Sequence, residues 1–209
     1  MSSVGATPKS AGAYHHGSLR AALVASALEV LDERGVTGFS LRETARRAGV
    51  TPAAPKHHFA DTRALLTTLA TIAFTDLADR LEAADASGDS REASLIAQGS
   101  AYVAFALDRR ALFELMWQAA LLDLNGDDIR AQKQRTFLAL DRRVRGANAP
   151  EVPDGDPAMA ATLACWSLVH GFARMAIEGA FGTDPVAARE TALVMAPRSL
   201  TLLVRDLPS

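Results

Sequence analysis

The chain has 209 residues, is 49% hydrophobic and carries a formal net charge of -2, so it can bury a sizeable core and is not a disordered tail. Ala and Leu fill long stretches where a β protein would show Val, Ile and Thr, which points to an all-α fold. Its single cysteine, Cys165, excludes an intramolecular disulfide framework, offers no metal-ligand spacing and suits a reducing cytoplasm.

The charge is unevenly placed. Residues 1–60 carry seven Lys or Arg against four acids, a local balance of +3, with four of the five histidines. Polyanion binding is therefore expected in that part. Residues 1–16 are small and polar without periodicity and read as a disordered arm with no secretory leader. From Ser18, a candidate cap, Leu19, Leu23, Ala27 and Leu31 recur at helical spacing until Gly35 stops the run. Ser40-Leu41-Arg42-Glu43 has the S-x-x-E form of a capping box, so a second helix starts at Leu41 and ends before Gly49. Thr51-Pro52 then looks like a cap followed by proline at the first position of a third short helix.

Asp61 can cap a long helix carrying Leu65, Leu69, Ala73, Leu77 and Leu81. After a loop at 86–90, helices are expected over about 91–107, 111–117 and 128–145. A proline-rich loop at 147–157 leads to an almost uncharged helix reaching about Gly179, read as a buried helix of a soluble protein rather than a membrane span. Asp184-Pro185 opens a last helix to about Arg205. The expected organisation is an arm (1–16), a three-helix head (17–61), a connecting helix (62–86) and a helical body of about six helices (87–209).

Two short helices joined by a glycine turn, with a longer helix behind them, can push the second short helix into a DNA major groove. Ala45 lets the helices approach, and Phe39, Val50 and Phe59 are the candidate apolar centre. Thr51, Pro52, Ala53, Lys56 and His57 form the candidate groove face. The segments AALVASALEVLDERG (21–35), GFSLRETARRAGVTPAAP (38–55) and HHFADTRALL (57–66) closely resemble the DNA-binding domain of the tetracycline-repressor-like (TetR) family. That resemblance implies double-stranded DNA as partner, with Ser40, Arg42, Thr51, Pro52, Ala53, Lys56, His57, His58, Thr62 and Arg63 as contact candidates. Two positions depart from the family pattern: Lys56 stands where a phosphate-contacting tyrosine is usual, and Thr62 where a lysine is usual. Positive charge has in effect moved onto the recognition helix.

Neither His15-His16 nor His57-His58 is read as a metal site, because adjacent helical residues diverge by about 100° and no suitable partner ligands accompany them. The first pair is assigned to the arm near the DNA backbone. Trp166 to Gly171 resembles the Trp-x-x-x-His-Gly signature of one subgroup of the family's C-terminal domains, and Arg109–Trp117 resembles its short aromatic helix. The family implies a small-molecule pocket in the body, for which Tyr102, Phe105, Phe113, Met116, Trp117, Phe137, Trp166 and His170 are the candidates. Core packing is the competing explanation for each. The family also implies a homodimer through the last two long helices, to which the final one offers Val186, Leu193, Val194, Leu200, Leu203 and Val204. A near-palindromic operator follows from two-fold symmetry. Arg174 and Glu178 suit an ion pair, and Arg142, Arg143 and Arg145 a solvated helix end.

The sequence thus predicts a cytoplasmic, sequence-specific transcriptional regulator, a repressor released by a small-molecule effector. The alternatives are a DNA-binding regulator with a filled body and, more remotely, an enzyme using the body's cavity. No nucleophile elbow, phosphate loop, paired carboxylates or metal triad is legible, and no cofactor or catalytic residue is assigned.

Overall fold

A computed structural model of the chain describes residues 12–146, 148, 150 and 155–205. Among them are eight α-helices, three short 3-10 turns and no strand. The helices are α1 (Gly12–Arg34), α2 (Leu41–Arg47), α3 (Thr62–Ala86), α4 (Arg91–Asp108), α5 (Arg110–Met116), α6 (Asp127–Arg145), α7 (Ala160–Ile177) and α8 (Pro185–Val204). Two compact units divide between Leu65 and Leu66, inside α3.

In the N-terminal unit, α1 starts at Gly12, so Ser18 lies inside the helix rather than at its cap, and His15 and His16 fall in its first turns. Residues 12–18 contain no proline, and Gly17 costs a helix only about 1 kcal/mol. The remainder of the expected arm, residues 1–11, lies outside the described residues. Gly35, at φ +65°, ends α1 by donating its N–H to the Leu31 carbonyl. Leu23, Ala27, Val30, Leu31, Ala45, Phe59 and Leu65 form the buried centre of this unit. Of the three residues expected there, only Phe59 is buried; Phe39 and Val50 are half-buried.

In the second unit, α4 packs on α7 and α8 and more lightly on α6 and α5. Ser90 caps α4 by accepting from the Ala93 amide, and Asp184 caps α8 by accepting from Val186. Arg145 on α6 and Thr162 on α7 both bond to Asp141, which is 3% exposed. Arg143 pairs with Asp85 at 2.5 Å. The expected solvated helix end is therefore a tie between elements, with only Arg142 exposed.

Pro157–Ile177 is the one helix among the described residues long and apolar enough to cross a membrane by length and composition alone. The expectation of a buried helix holds for one face only. Cys165, Val169, Ala173 and Ile177 are buried, whereas Leu163, Ala164, Ser167, Gly171 and Met175 are exposed. On α8 the helical period turns Ala192, Ala196, Leu200 and Val204 inward, so Leu200 and Val204 are core residues rather than offered surface. The large apolar side chains of α8 left exposed are Val186, Val194, Met195 and Leu202.

Candidate functional site

The reading head is organised by Glu43. Ser40 caps α2 by accepting from the Glu43 amide at 3.4 Å. The Glu43 carboxylate, however, does not close the expected box with the Ser40 amide. It accepts two bonds from Arg46 at 2.8 Å and one from Arg47 at 3.1 Å, and pairs with Arg34 at 3.2 Å. Charge-assisted bonds outcompete a backbone amide for the same oxygens, and those from Arg46 and then Arg47 hold the Glu43 carboxyl down at about 2. Arg47 also reaches Glu33 on α1, so it cross-links the two helices. Gly49, at φ +70°, makes the turn that follows, a conformation costly for any residue bearing a Cβ.

The third element is not an α-helix. It is a 3-10 turn, Ala54–His57, with i to i+3 bonds from Ala54 to Thr51, Lys56 to Ala53 and His58 to Pro55. Thr51 does not cap it; the residue before the turn is Ala53, which makes no side-chain cap bond. An α-helix capped at Thr51 needs the residue-55 N–H to bond the Thr51 carbonyl, and Pro55 has none. Proline also steers Ala54 away from α geometry. Pro55 instead faces inward and is buried, while Thr51, Pro52, Ala53, Lys56 and His57 are all exposed. Phe59 anchors the far end of the turn, with the Arg20 guanidinium 5.0 Å over its ring.

A groove of about 340 Å³ on this unit joins Ser40, Arg42 and Pro52 with Arg34 and Arg46. The last two were absent from the sequence-based set. Thr62 and Arg63 are exposed at the start of α3, and His58 is half-buried.

In the second unit, six of the eight expected pocket residues form one aromatic network. The Tyr102 hydroxyl lies 2.9 Å from His170 Nδ1. Around this pair, Phe113 and Trp166 meet Tyr102 edge-on at 5.9 and 5.6 Å. Trp117 meets His170 at 4.8 Å, and Phe137 meets Trp166 at 6.1 Å. Burial pushes the Tyr102 phenol above its ordinary value, and burial followed by the Arg174 charge pushes His170 down. Both groups are thus uncharged at neutral pH, and which one donates depends on the tautomer. Phe105 is buried elsewhere on α4 with the Arg80 guanidinium 5.5 Å over its ring; Met116 is buried. Phe74, edge-on to Trp117 at 6.2 Å, is a member that sequence reasoning missed.

Beside the network lies an apolar cavity of about 20 Å³, walled by Leu95, Gln98, Tyr102, Cys165, Trp166 and Leu200 among others. Gln98 is 1% exposed; its Nε2 donates to the Ala139 carbonyl at 2.9 Å, and its Oε1 has no hydrogen-bond partner. Its sequence signal was available: a lone amide on the buried face of α4, between Leu95 and Tyr102.

Comparison with known proteins accords with this geometry. Residues 23–69 match the model of bacterial regulatory proteins of the tetR family, and residues 95–196 match that of the tetracyclin repressor-like C-terminal domain. The chain belongs to the TetR family. It is a DNA-binding transcriptional regulator with the family's N-terminal helix-turn-helix and C-terminal helical domain. An uncharacterized HTH-type transcriptional regulator of Bacillus subtilis, YobS, is 29% identical over 76% of this chain and 79% of its own. A protein of unknown function from Rhodococcus sp. RHA1 is 32% identical, with a TM-score of 0.71 over 96% of this chain and all of that one. The fold is shared at 17% identity and a TM-score of 0.62 with the regulator FadR of Bacillus subtilis, solved in complex with stearoyl-CoA, over 84% of this chain and 96% of that one.

For a TetR-family head, the 3-10 recognition turn has a chemical consequence. The turn is only four residues long, Ala54–His57, and Pro52 before it and Pro55 within it restrict the backbone. Lys56 and His57 are the turn's basic residues, and both are exposed.

Proposed function

We propose that the protein is a cytoplasmic repressor that binds a near-palindromic operator as a homodimer and leaves it when a small molecule occupies the body. In this reading residues 17–61 read DNA, 62–86 connect and 87–209 bind ligand and dimerise. Membership of the Trp-x-x-x-His-Gly subgroup of its family is part of this reading, supported by Trp166, His170 and Gly171. The observation that carries ligand response is the unpartnered Oε1 of Gln98, a residue that lines an apolar cavity beside a ring network that opens to solvent at Trp117, which is 38% exposed. A related fold, that of FadR, holds an acyl thioester. Dimerisation is supported by the bare apolar faces of α7 and α8, where Met175 and Val194 are each 52% and Leu202 73% exposed.

DNA release follows if the ligand binds more tightly to a conformation with low operator affinity. The test is fluorescence anisotropy on DNA from upstream of the protein's own gene. Wild type should bind it over random DNA, Lys56→Ala and His57→Ala should weaken binding, and an effector should release it. Equal affinity for random DNA at moderate salt overturns the proposal.

A filled body without a ligand is the second reading. It draws on the small cavity and on the mutual satisfaction of Tyr102 and His170. The two readings separate on whether any small molecule changes DNA affinity.

A further inference from the structure

The buried amide of Gln98 is oriented by its neighbours. Its Nε2 donates to the Ala139 carbonyl at 2.9 Å and more distantly to the Leu81 carbonyl at 3.5 Å. Both partners are acceptors, so the nitrogen must face them and the oxygen must face away. That oxygen is buried without a donor. A buried acceptor in this state destabilises its surroundings, and any guest that brings a donor recovers the loss.

The cavity beside Gln98 restricts what the guest can be. Its walls are Leu81, Leu95, Leu140, Val169, Leu200 and Val204, with Gly99, Tyr102, Cys165 and Trp166, and no charged side chain. A charged guest would be stripped of water with no counter-ion. The Tyr102 hydroxyl already has a partner in His170 at 2.9 Å, whereas the amide oxygen has none.

At about 20 Å³ the cavity admits one water-sized sphere, whereas a six-membered ring needs on the order of 150 Å³. The wall that can yield is Trp166, which is half-buried and held by edge-on contacts to Tyr102 and Trp117. Gln98 also lines an outer groove of about 520 Å³ bordered by Glu82, Asp85, Arg135 and Arg142, so it partitions that groove from the inner cavity.

We propose that this cavity seats a neutral, largely apolar small molecule that donates one O–H or N–H hydrogen bond to Gln98 Oε1. Its regulatory meaning rests on the ligand-response reading above, but its binding chemistry does not.

The test is titration calorimetry of the full-length protein, without DNA, using three probes of one ring size. Phenol carries the donor, toluene lacks it, and benzoate carries a charge. Phenol should bind about tenfold tighter than toluene, and benzoate should not bind. In Gln98→Leu the preference for phenol should vanish. Should that variant fail to fold, Val169→Ala widens the same cavity and leaves Gln98 in place; phenol should then bind more tightly with its preference over toluene kept. Equal binding of phenol and toluene, tighter binding of benzoate, or no binding of phenol at millimolar concentration overturns the proposal. An effector that releases operator DNA from Gln98→Leu as readily as from wild type overturns the regulatory meaning of this site, with the ligand-response reading intact. Phenol binding that leaves DNA affinity unchanged supports the site and counts against that reading alone.

Discussion

Removing one partner of the Asp141 ion pair should cost the body much of its stability. The Asp141 side chain is 4% exposed and Arg145 12%. The carboxylate accepts from Arg145 Nε at 2.7 Å and from the Thr162 hydroxyl at 2.8 Å. Asp141→Ala leaves the guanidinium and the hydroxyl without that acceptor, and breaking a buried pair from one side costs about 3–5 kcal/mol. Arg145 keeps the Pro150 carbonyl at 3.1 Å, which places the expectation at the lower end, about 3 kcal/mol. With a urea slope of roughly 2 kcal/mol/M, the midpoint falls by about 1.5 M. Both tryptophans, Trp117 and Trp166, lie in this unit, so their fluorescence follows its unfolding.

Replacing both charges, as Asp141→Ala with Arg145→Met, should recover most of the loss, because an apolar substitute for a buried pair is often neutral. The pH dependence has a definite sign. The bonds from Arg145, and to a lesser extent Thr162, hold the Asp141 carboxyl below its ordinary value. Its contribution is therefore present above the unfolded value near 3.9 and is lost as pH falls through the lower folded one, so the variant's acid limb should be flatter. A single-variant midpoint drop below about 0.5 M, or a double variant no more stable than the single, would refute the reasoning.

Lys56→Ala should weaken binding to operator and random DNA alike and lower the slope of log K against log salt by about 0.9, the value for one phosphate contact, measured by anisotropy across a salt series. A Cβ at Gly99 would lie 2.4 Å from Leu200 Cδ1 and 3.0 Å from Val169 Cγ1. Gly99→Ala should push Leu200 into the cavity. Overpacking of about 1–3 kcal/mol is then partly offset by about 1 kcal/mol of helix propensity, so urea melts should move little while phenol binding in calorimetry is lost. Met175→Glu with Leu202→Glu should convert a dimer to monomers in sedimentation, since both side chains already face solvent in the single chain and the fold should tolerate the change.

Several elements were legible because their signals are local. Asp61 caps α3 with a 2.8 Å bond to the Ala64 amide, Asp184 caps α8, and Gly35 and Gly49 take the positive φ that their places after a helix require. Each involves groups within four residues of one another, so a short window of sequence contains the whole interaction. The recognition element was misread because Thr51-Pro52 is a sound start signal on its own. Pro55, three residues later, removes the first α-helical bond, and the chain takes a 3-10 turn.

What the sequence by itself determined is the helical class, the order and approximate ends of the helices, and the resemblance of residues 18–66 to a DNA-reading head, which the match over 23–69 supports. Only the tertiary structure decided which polar groups meet. Tyr102 and His170 are 68 residues apart, Thr162 and Asp141 are 21 apart, and Gln98 is fixed by carbonyls on two other helices. It also decided that Leu200 and Val204 turn inward while Met195 and Leu202 stay bare. An α-helix that is apolar on more than one face does not declare which face its neighbours will cover. That choice, like the partner of a buried amide, is made by packing between segments distant in the chain.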